Sequence, residues 1–377
     1  MRNRLFVIVA LAGLAGGVLA FVATRRGGDE ALAGERVVVA FGDSVAAGQG
    51  LGPALGYPNN ERAYPARVGA ALGWPSRNVA VSSACAATAG RPGSHPDTPD
   101  ACTTSILHDQ LDRARGVFNG SPRLVLITVG ANDIQFADCS IEAIVPDLSE
   151  GACENDALRR RLEALDANLS LALDRLRQRY PDATIMLTSY YNPMPAPAAE
   201  GEDPCPIYEP LAALDSPLSL VSDASLRRAA LALQATVHER FRDGVSALNE
   251  VIRRVASRAG ASVATLDFAG HDLCRSQTGD GEATWVYGPD YDVRFRVTGA
   301  AILGGGKQWT GTLPSRCPSP TPAEPEPFST GEVTRRIGVV EVVYSARVTI
   351  NCMPHPTQDG QQAIADAVVD AVPPRIR

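Results

Sequence analysis

Four apolar runs of strand length punctuate this chain, and segments of helical pattern separate them. The runs are 37–41 (VVVAF), 124–129 (LVLITV), 184–190 (TIMLTSY) and 262–267 (SVATLD), with a shorter one at 79–81. Helices are predicted over 61–73, with Pro65 near the first turn, and over 105–118, 154–180, 223–259 and 359–371. Within 154–180, Leu158, Leu162, Leu165, Leu169, Leu173 and Leu176 recur at spacings of three and four, a core-facing stripe with no chemistry attached. Strands alternating with helices in this order build a parallel sheet covered by helices on both faces. Two stretches lack either period. Residues 90–104 read as a polar loop, and the Pro/Ala-rich stretch 193–222 as a long surface loop. After residue 283 the pattern changes. Residues 291–297 alternate polar and apolar, as does part of 336–350, and the two flank a Pro-rich loop at 314–327. A β-rich insertion at about 283–350 is expected on the α/β domain.

The ends of the chain constrain its location. Residues 5–23 form an uncharged apolar run behind Arg2 and Arg4, which reads as a signal peptide or a membrane anchor occupying residues 1–26. Arg25 and Arg26 just beyond it leave the orientation signal ambiguous. Either reading exports the remainder, which carries a net charge of about −11 out of the chain's −7 once the four leading arginines are set aside. No Lys/Arg block stands out, so nucleic acid is not an expected partner. Eight cysteines suit an exported chain with disulfides. Sequential pairing is the simplest arrangement because it closes two short loops, Cys85–Cys102 and Cys139–Cys153; it would then join Cys205 to Cys274 and Cys317 to Cys352. No Cys/His group has zinc spacing, so neither a metal nor a cofactor is expected.

The chemistry is carried by turn residues at strand ends. The first apolar run stops at Gly42-Asp43-Ser44, which places a hydroxyl at the carboxyl edge of the sheet, where open α/β sheets hold their ligands. A serine there is a candidate nucleophile if a base and oxyanion donors lie nearby. The run 124–129 ends in Gly130-Ala131-Asn132-Asp133, and the Asn132 carboxamide can donate to a developing oxyanion. Of five histidines, His95 lies in a polar loop and His108 and His238 lie in helical segments. His355 differs: it sits between prolines, Pro354 and Pro356, on a short loop between a strand and the last helix. From there it can reach across the sheet edge to Ser44.

With these three elements in order, the chain resembles the SGNH/GDSL hydrolases, and within them the secreted actinobacterial-type lipases and esterases with disulfides. Phe41-Gly42-Asp43-Ser44 matches the family's first block, Gly130-Ala131-Asn132-Asp133 its third, and His355-Pro356 its last. The likeness covers roughly 36–275 and 350–372. It implies a three-layer α/β/α sandwich around a central, mostly parallel sheet of flavodoxin-like type, in a hydrolase domain over 35–377. It also implies roles: Ser44 as nucleophile, His355 as general base, and Ser44 N–H, Asn132 and a second-block N–H as the oxyanion hole. Ala87 aligns with the glycine usual in the second block, with Gly90 as its rival. The acid departs from the pattern, because Cys352 stands where the family places an aspartate. The same family includes secreted enzymes that use a main-chain carbonyl there, which assigns the Cys352 carbonyl to orient His355; Asp267 and Asp359 are the alternative acids.

The resemblance implies an exported serine esterase or lipase acting on carboxylic esters, as a monomer, on a lipid or an acylated glycan. Two other readings use the same scaffold. One is an acyltransferase or deacetylase of cell-surface glycans, and the other a non-catalytic binding protein that uses the insertion.

Overall fold

The computed structural model describes residues 36–52, 61–136, 155–215, 222–274, 284–288, 290–298, 305–312, 328–329, 333–337, 340–349 and 355–377. The apolar run at 5–23, Cys139, Cys153, Cys317, Cys352 and the Pro-rich loop 314–327 lie outside them. Among the described residues no helix is long and apolar enough to cross a membrane.

Five strands form the main sheet: β1 (Val38–Gly42), β2 (Ser76–Asn78), β3 (Leu124–Thr128), β4 (Thr184–Thr188) and β5 (Ser262–Ala264). Their spatial order is β2-β1-β3-β4-β5, and every pair is parallel. That is the flavodoxin-like order, in which the winding of successive strands across the sheet reverses between β1 and β3 and leaves a crevice at their carboxyl ends. Every residue of β1 and of β3 is buried, as a sheet covered on both faces requires. The connecting helices are α1 (Ser44–Ala47), α2 (Tyr64–Leu72), α3 (Leu111–Val117), α4 (Asn155–Arg179), α5 (Tyr208–Asp215), α6 (Asp223–Arg258) and α7 (Gln358–Ala371). The leucine stripe of α4 faces inward, with Leu165, Leu169, Leu173 and Leu176 fully buried. On its rim Asp166 pairs with Arg254 at 2.8 Å and with Arg258, tying α4 to α6. Burial works against that carboxylate, but the two guanidiniums outweigh it and hold its pKa below the ordinary range.

Three expectations are corrected. The second strand is Ser76–Asn78, not 79–81; Val79 and Val81 still donate to the carbonyls of Ala40 and Gly42, but as the chain peels off the sheet edge. The stretch 193–222 is not all loop, since α5 lies within it and packs on α6. The helix beginning near 105 opens with a π-helical turn, Ile106–Gln110, before α3.

A second sheet lies between β5 and α7. It comprises β6 (Asp290–Thr298), β7 (Gly305–Thr312), β8 (Phe328–Ser329), β9 (Val333–Ile337) and β10 (Val340–Thr349). The order is β7-β6-β10-β8, with β9 also paired to β10, all antiparallel.

Candidate active site

The crevice at the end of β1 is built around one glycine. Gly42 has φ +138°, and a Cβ there would stand 2.1 Å from the Thr128 carbonyl oxygen at the end of β3. No other residue fits that approach. The fully buried Gln110 clamps the same peptide from the π-helical turn: it accepts from Gly42 N–H at 2.8 Å and donates to Gly42 O at 2.7 Å. The chain then turns into α1. Asp43 caps that helix, its Oδ1 accepting from Val45 N–H at 2.9 Å. Burial pushes the Asp43 carboxyl up to about 6, against hydrogen bonds from Tyr190 and the backbone that favour the anion. Ser44, the first residue of α1, is half-buried.

The turn after β3 supplies the next group. Asn132 Nδ2 donates to Ala84 O at 2.9 Å, which spends one of its two N–H groups and fixes the carboxamide. Asp133 is buried, and its carboxylate oxygens accept from Ala86 N–H at 3.0 and 3.1 Å. Burial raises the Asp133 carboxyl to about 7. These bonds tie the 130–133 turn to the loop holding Ala87. In that loop Cys85 N–H donates to Thr104 O, Thr88 N–H to His108 Nδ1 and Ala89 N–H to Cys102 O, while Cys85 and Cys102 form a disulfide. The Ala87 N–H has no hydrogen-bond partner among the described residues. Ala87 itself is buried, and Gly90 is exposed at the outer side of the loop.

His355 arrives from the far end of the chain. Residues 285–287 and 355–357 form a short antiparallel bridge, with Tyr287 N–H donating to His355 O at 2.9 Å and Thr357 N–H to Trp285 O at 2.8 Å. Thr357 then caps α7, accepting from Gly360 N–H at 3.3 Å. The 285–287 segment is itself braced. Trp285 stacks on His271 at 3.6 Å and meets Phe268 edge-on, and Phe268 stacks on Tyr191 at 3.9 Å. So held, His355 Nε2 lies 2.7 Å from Ser44 Oγ, 311 positions away in sequence.

Ser44, Asn132 and His355 line one pocket with Val45, Phe136, Tyr190, Tyr191, Pro193, Val245 and Leu248. Its walls are largely apolar. Ala87 is not among the lining residues. Asp267 and Asp359 are exposed and do not line this pocket; they share another groove, and Asp267 also lines a neighbouring one that includes Tyr190, Tyr191 and Val245 of the pocket wall. Cys352 lies outside the described residues. Of the other histidines, His108 and His238 bond to backbone groups, and none of the remaining four lines the pocket.

The family model for the GDSL-like lipase/acylhydrolase family matches residues 40–302, well over half of the chain and including the turns that carry Ser44 and Asn132. The chain belongs to the GDSL-like lipase/acylhydrolase family. This GDSL hydrolase is thus an enzyme of the carboxylic-ester-hydrolase class, with the central five-stranded parallel sheet of that fold. No curated protein matches it. Among solved structures it is similar to an extracellular lipase from Streptomyces rimosus, at 18% identity and a TM-score of 0.49, over 89% of this chain and 100% of that one. A phospholipase A1 from Streptomyces albidoflavus matches at 18% identity and a TM-score of 0.47, over 90% and 100%.

Sequence reasoning missed the groups that hold these residues in place. Gln110, Tyr190 and Asn249 are buried partners of backbone or carboxylate, and Gln361 joins Tyr64 N–H to Val45 O at 2.7 and 3.0 Å. Their only sequence signal is an amide on the apolar face of a helix, or a tyrosine pair just after a strand.

Proposed function

We propose that this GDSL hydrolase cleaves carboxylic esters through an acyl-serine intermediate on Ser44. The 2.7 Å approach of His355 Nε2 to Ser44 Oγ carries the reading. In the neutral imidazole with its proton on Nδ1, Nε2 accepts the serine proton as Oγ attacks the ester carbonyl. The tetrahedral oxyanion is held by Ser44 N–H, the Ala87 N–H and the second N–H of Asn132. His355 then protonates the leaving alcohol, and a water activated by the same histidine hydrolyses the acyl-serine.

The Cys352 main-chain carbonyl orients His355 in this reading. It is supported by the absence of Asp267 and Asp359 from the lining of the pocket that holds Ser44 and His355. The pocket walls formed by Phe136, Tyr191, Val245 and Leu248 favour an apolar acyl chain, and so a lipid ester over an acylated sugar. We further propose export, by a signal peptide or an anchor in residues 1–26, with action as a monomer outside the cytoplasm. The Cys85–Cys102 and Cys205–Cys274 bonds fit an oxidising compartment. The direct test is hydrolysis of p-nitrophenyl esters from acetyl to palmitoyl by the wild type and by Ser44→Ala. Turnover that survives in Ser44→Ala would refute the assignment.

A further inference from the structure

We propose that Tyr190 is a positioning residue whose hydroxyl locks the turn carrying Ser44 to the turn carrying Asn132. The inference rests on the reading of Ser44 and Asn132 given above and adds to it the part that sets their mutual distance. Tyr190 lies two residues past the end of β4, is buried, and lines the pocket. Its hydroxyl donates to Asp43 Oδ2, and the same oxygen accepts from Ala131 N–H at 3.3 Å. Asp43 immediately precedes Ser44 and caps the helix that Ser44 begins. Ala131 immediately precedes Asn132. One phenolic oxygen therefore bonds the residue before each of the two groups that must converge on the oxyanion.

The direction of these bonds is fixed by the surroundings. Burial, then the neighbouring Asp43 carboxylate, raise the ionisation of Tyr190 well above the ordinary phenol range, so the hydroxyl remains a donor. Tyr64, Tyr191 and Asp133 also lie close enough to Asp43 to feel its charge, but among the described residues the side-chain hydrogen bond to its carboxylate comes from Tyr190. The tyrosine is itself held from behind. The side chain of Asn249 on α6 accepts from Tyr190 N–H at 2.7 Å and donates to Tyr190 O at 2.8 Å. This pair of hydrogen bonds to the backbone sets the ring against a rigid helix, so the hydroxyl position is not left to a loose loop.

The consequence is catalytic geometry more than binding. Oxyanion donors act only when they sit about 2.7–3.1 Å from the developing charge, and a 1 Å misplacement can cost about 10²-fold in rate. Removing the hydroxyl leaves the ring and the apolar wall in place. It also leaves Ala131 N–H without its acceptor and Asp43 without its side-chain donor.

The test is steady-state hydrolysis of p-nitrophenyl butyrate by the wild type, Tyr190→Phe, Asn132→Ala, the double variant and Ser44→Ala. For Tyr190→Phe the expected result is a kcat lower by about 10²-fold with KM within about threefold, because the acyl wall is kept. If Tyr190 acts through Asn132, the double variant loses much less than the product of the two single losses. A wild-type kcat in Tyr190→Phe, a loss carried by KM, or strictly multiplicative losses in the double variant would each overturn the inference. If Tyr190→Phe fails to fold, Asn249→Ser, which frees the Tyr190 backbone from α6, takes its place in the same cycle with the same outcomes. Ser44→Ala separates the two levels: activity there sinks the acyl-serine reading, whereas an inactive Ser44→Ala beside a fully active Tyr190→Phe sinks only the positioning role.

Discussion

At the scale of single residues, the site sets polar groups that carry chemistry beside polar groups that hold the backbone. Asn132 belongs to the first kind. One of its N–H groups is bound to Ala84 O, and the other is the oxyanion donor in the proposed mechanism. Loss of one such donor typically lowers turnover by about 10²–10³. Asn132→Ala is expected to show that loss in kcat while its thermal unfolding stays close to the wild type, since it surrenders a single bond. Near-wild-type esterase turnover would contradict it. Asp133 belongs to the second kind. Its carboxyl is raised by burial from 3.8 to about 7, and that of Asp43 to about 6. A group whose pKa is higher folded than unfolded favours folding below its unfolded value, and the contribution fades as pH rises through the folded one. The part of stability due to these two groups is therefore present below pH ~4 and lost between about 4 and 7. Asp133→Asn keeps an oxygen for Ala86 N–H without the buried charge. Urea unfolding at pH 4.5 and 8 should show the difference between variant and wild type moving in the variant's favour at the higher pH; a difference that stays constant would count against the buried-charge account.

At the scale of elements, the residues proposed for catalysis lie at strand and helix ends, where the sequence patterning is clearest. Gly42-Asp43-Ser44, Gly130 to Asp133 and His355-Pro356 were legible because glycine and proline punctuate strongly apolar runs. The structure places Ser44, Asn132 and His355 around one pocket. What was illegible depends on partners distant in sequence. Gln110 and Asn249 show in the sequence only as amides on the apolar face of a helix, and their partners Gly42 and Tyr190 meet them only in the folded chain. Helix α5 was hidden because Pro204, Pro206 and Pro210 read as loop, whereas burial of Ile207, Leu211 and Ala212 against α6 makes the turn helical. The last element offers a sharp test. In α7, a Cβ at Gly360 would lie 2.1 Å from the Trp285 carbonyl oxygen, the acceptor that holds Thr357 beside His355. Relief requires the 285–287 bridge to move. Gly360→Ala is expected to cost about 1–3 kcal/mol, as overpacking does, and to lower kcat by displacing His355. An Asp359→Asn change one residue earlier touches only an exposed carboxylate outside the pocket, and should leave most of kcat intact. A loss near 10⁴ there, the scale of a neutralised triad acid, would assign Asp359 to the His355 ring.

At the scale of the whole molecule, the chain joins its sheet edge to residues far apart in sequence and staples the surroundings with disulfides. Cys205–Cys274 spans 69 residues and ties the segment before α5 to the one after Phe268. A closed loop of that size stabilises by about 4 kcal/mol in the chain-entropy model. The paired Cys205→Ser and Cys274→Ser change should lower the unfolding free energy by about that amount and lower activity only near the new melting temperature. An unchanged urea midpoint would remove the disulfide from the stability account. The second, antiparallel sheet rises from the segment that also braces His355, because Trp285 to Tyr287 lead directly into β6. The alternating pattern at 291–297 made that sheet legible as β structure, while its strand pairing could not be read without the register.

The proposed reaction turns on a single covalent bond, between Ser44 Oγ and the acyl group. Intact-mass and peptide mass spectrometry of the full chain after treatment with a fluorophosphonate, which phosphonylates an activated serine, reads that bond directly. One adduct is expected per chain, on the peptide containing Ser44, formed far more slowly in His355→Ala. An adduct on another residue, or full esterase activity persisting in a chain labelled at Ser44, would contradict it.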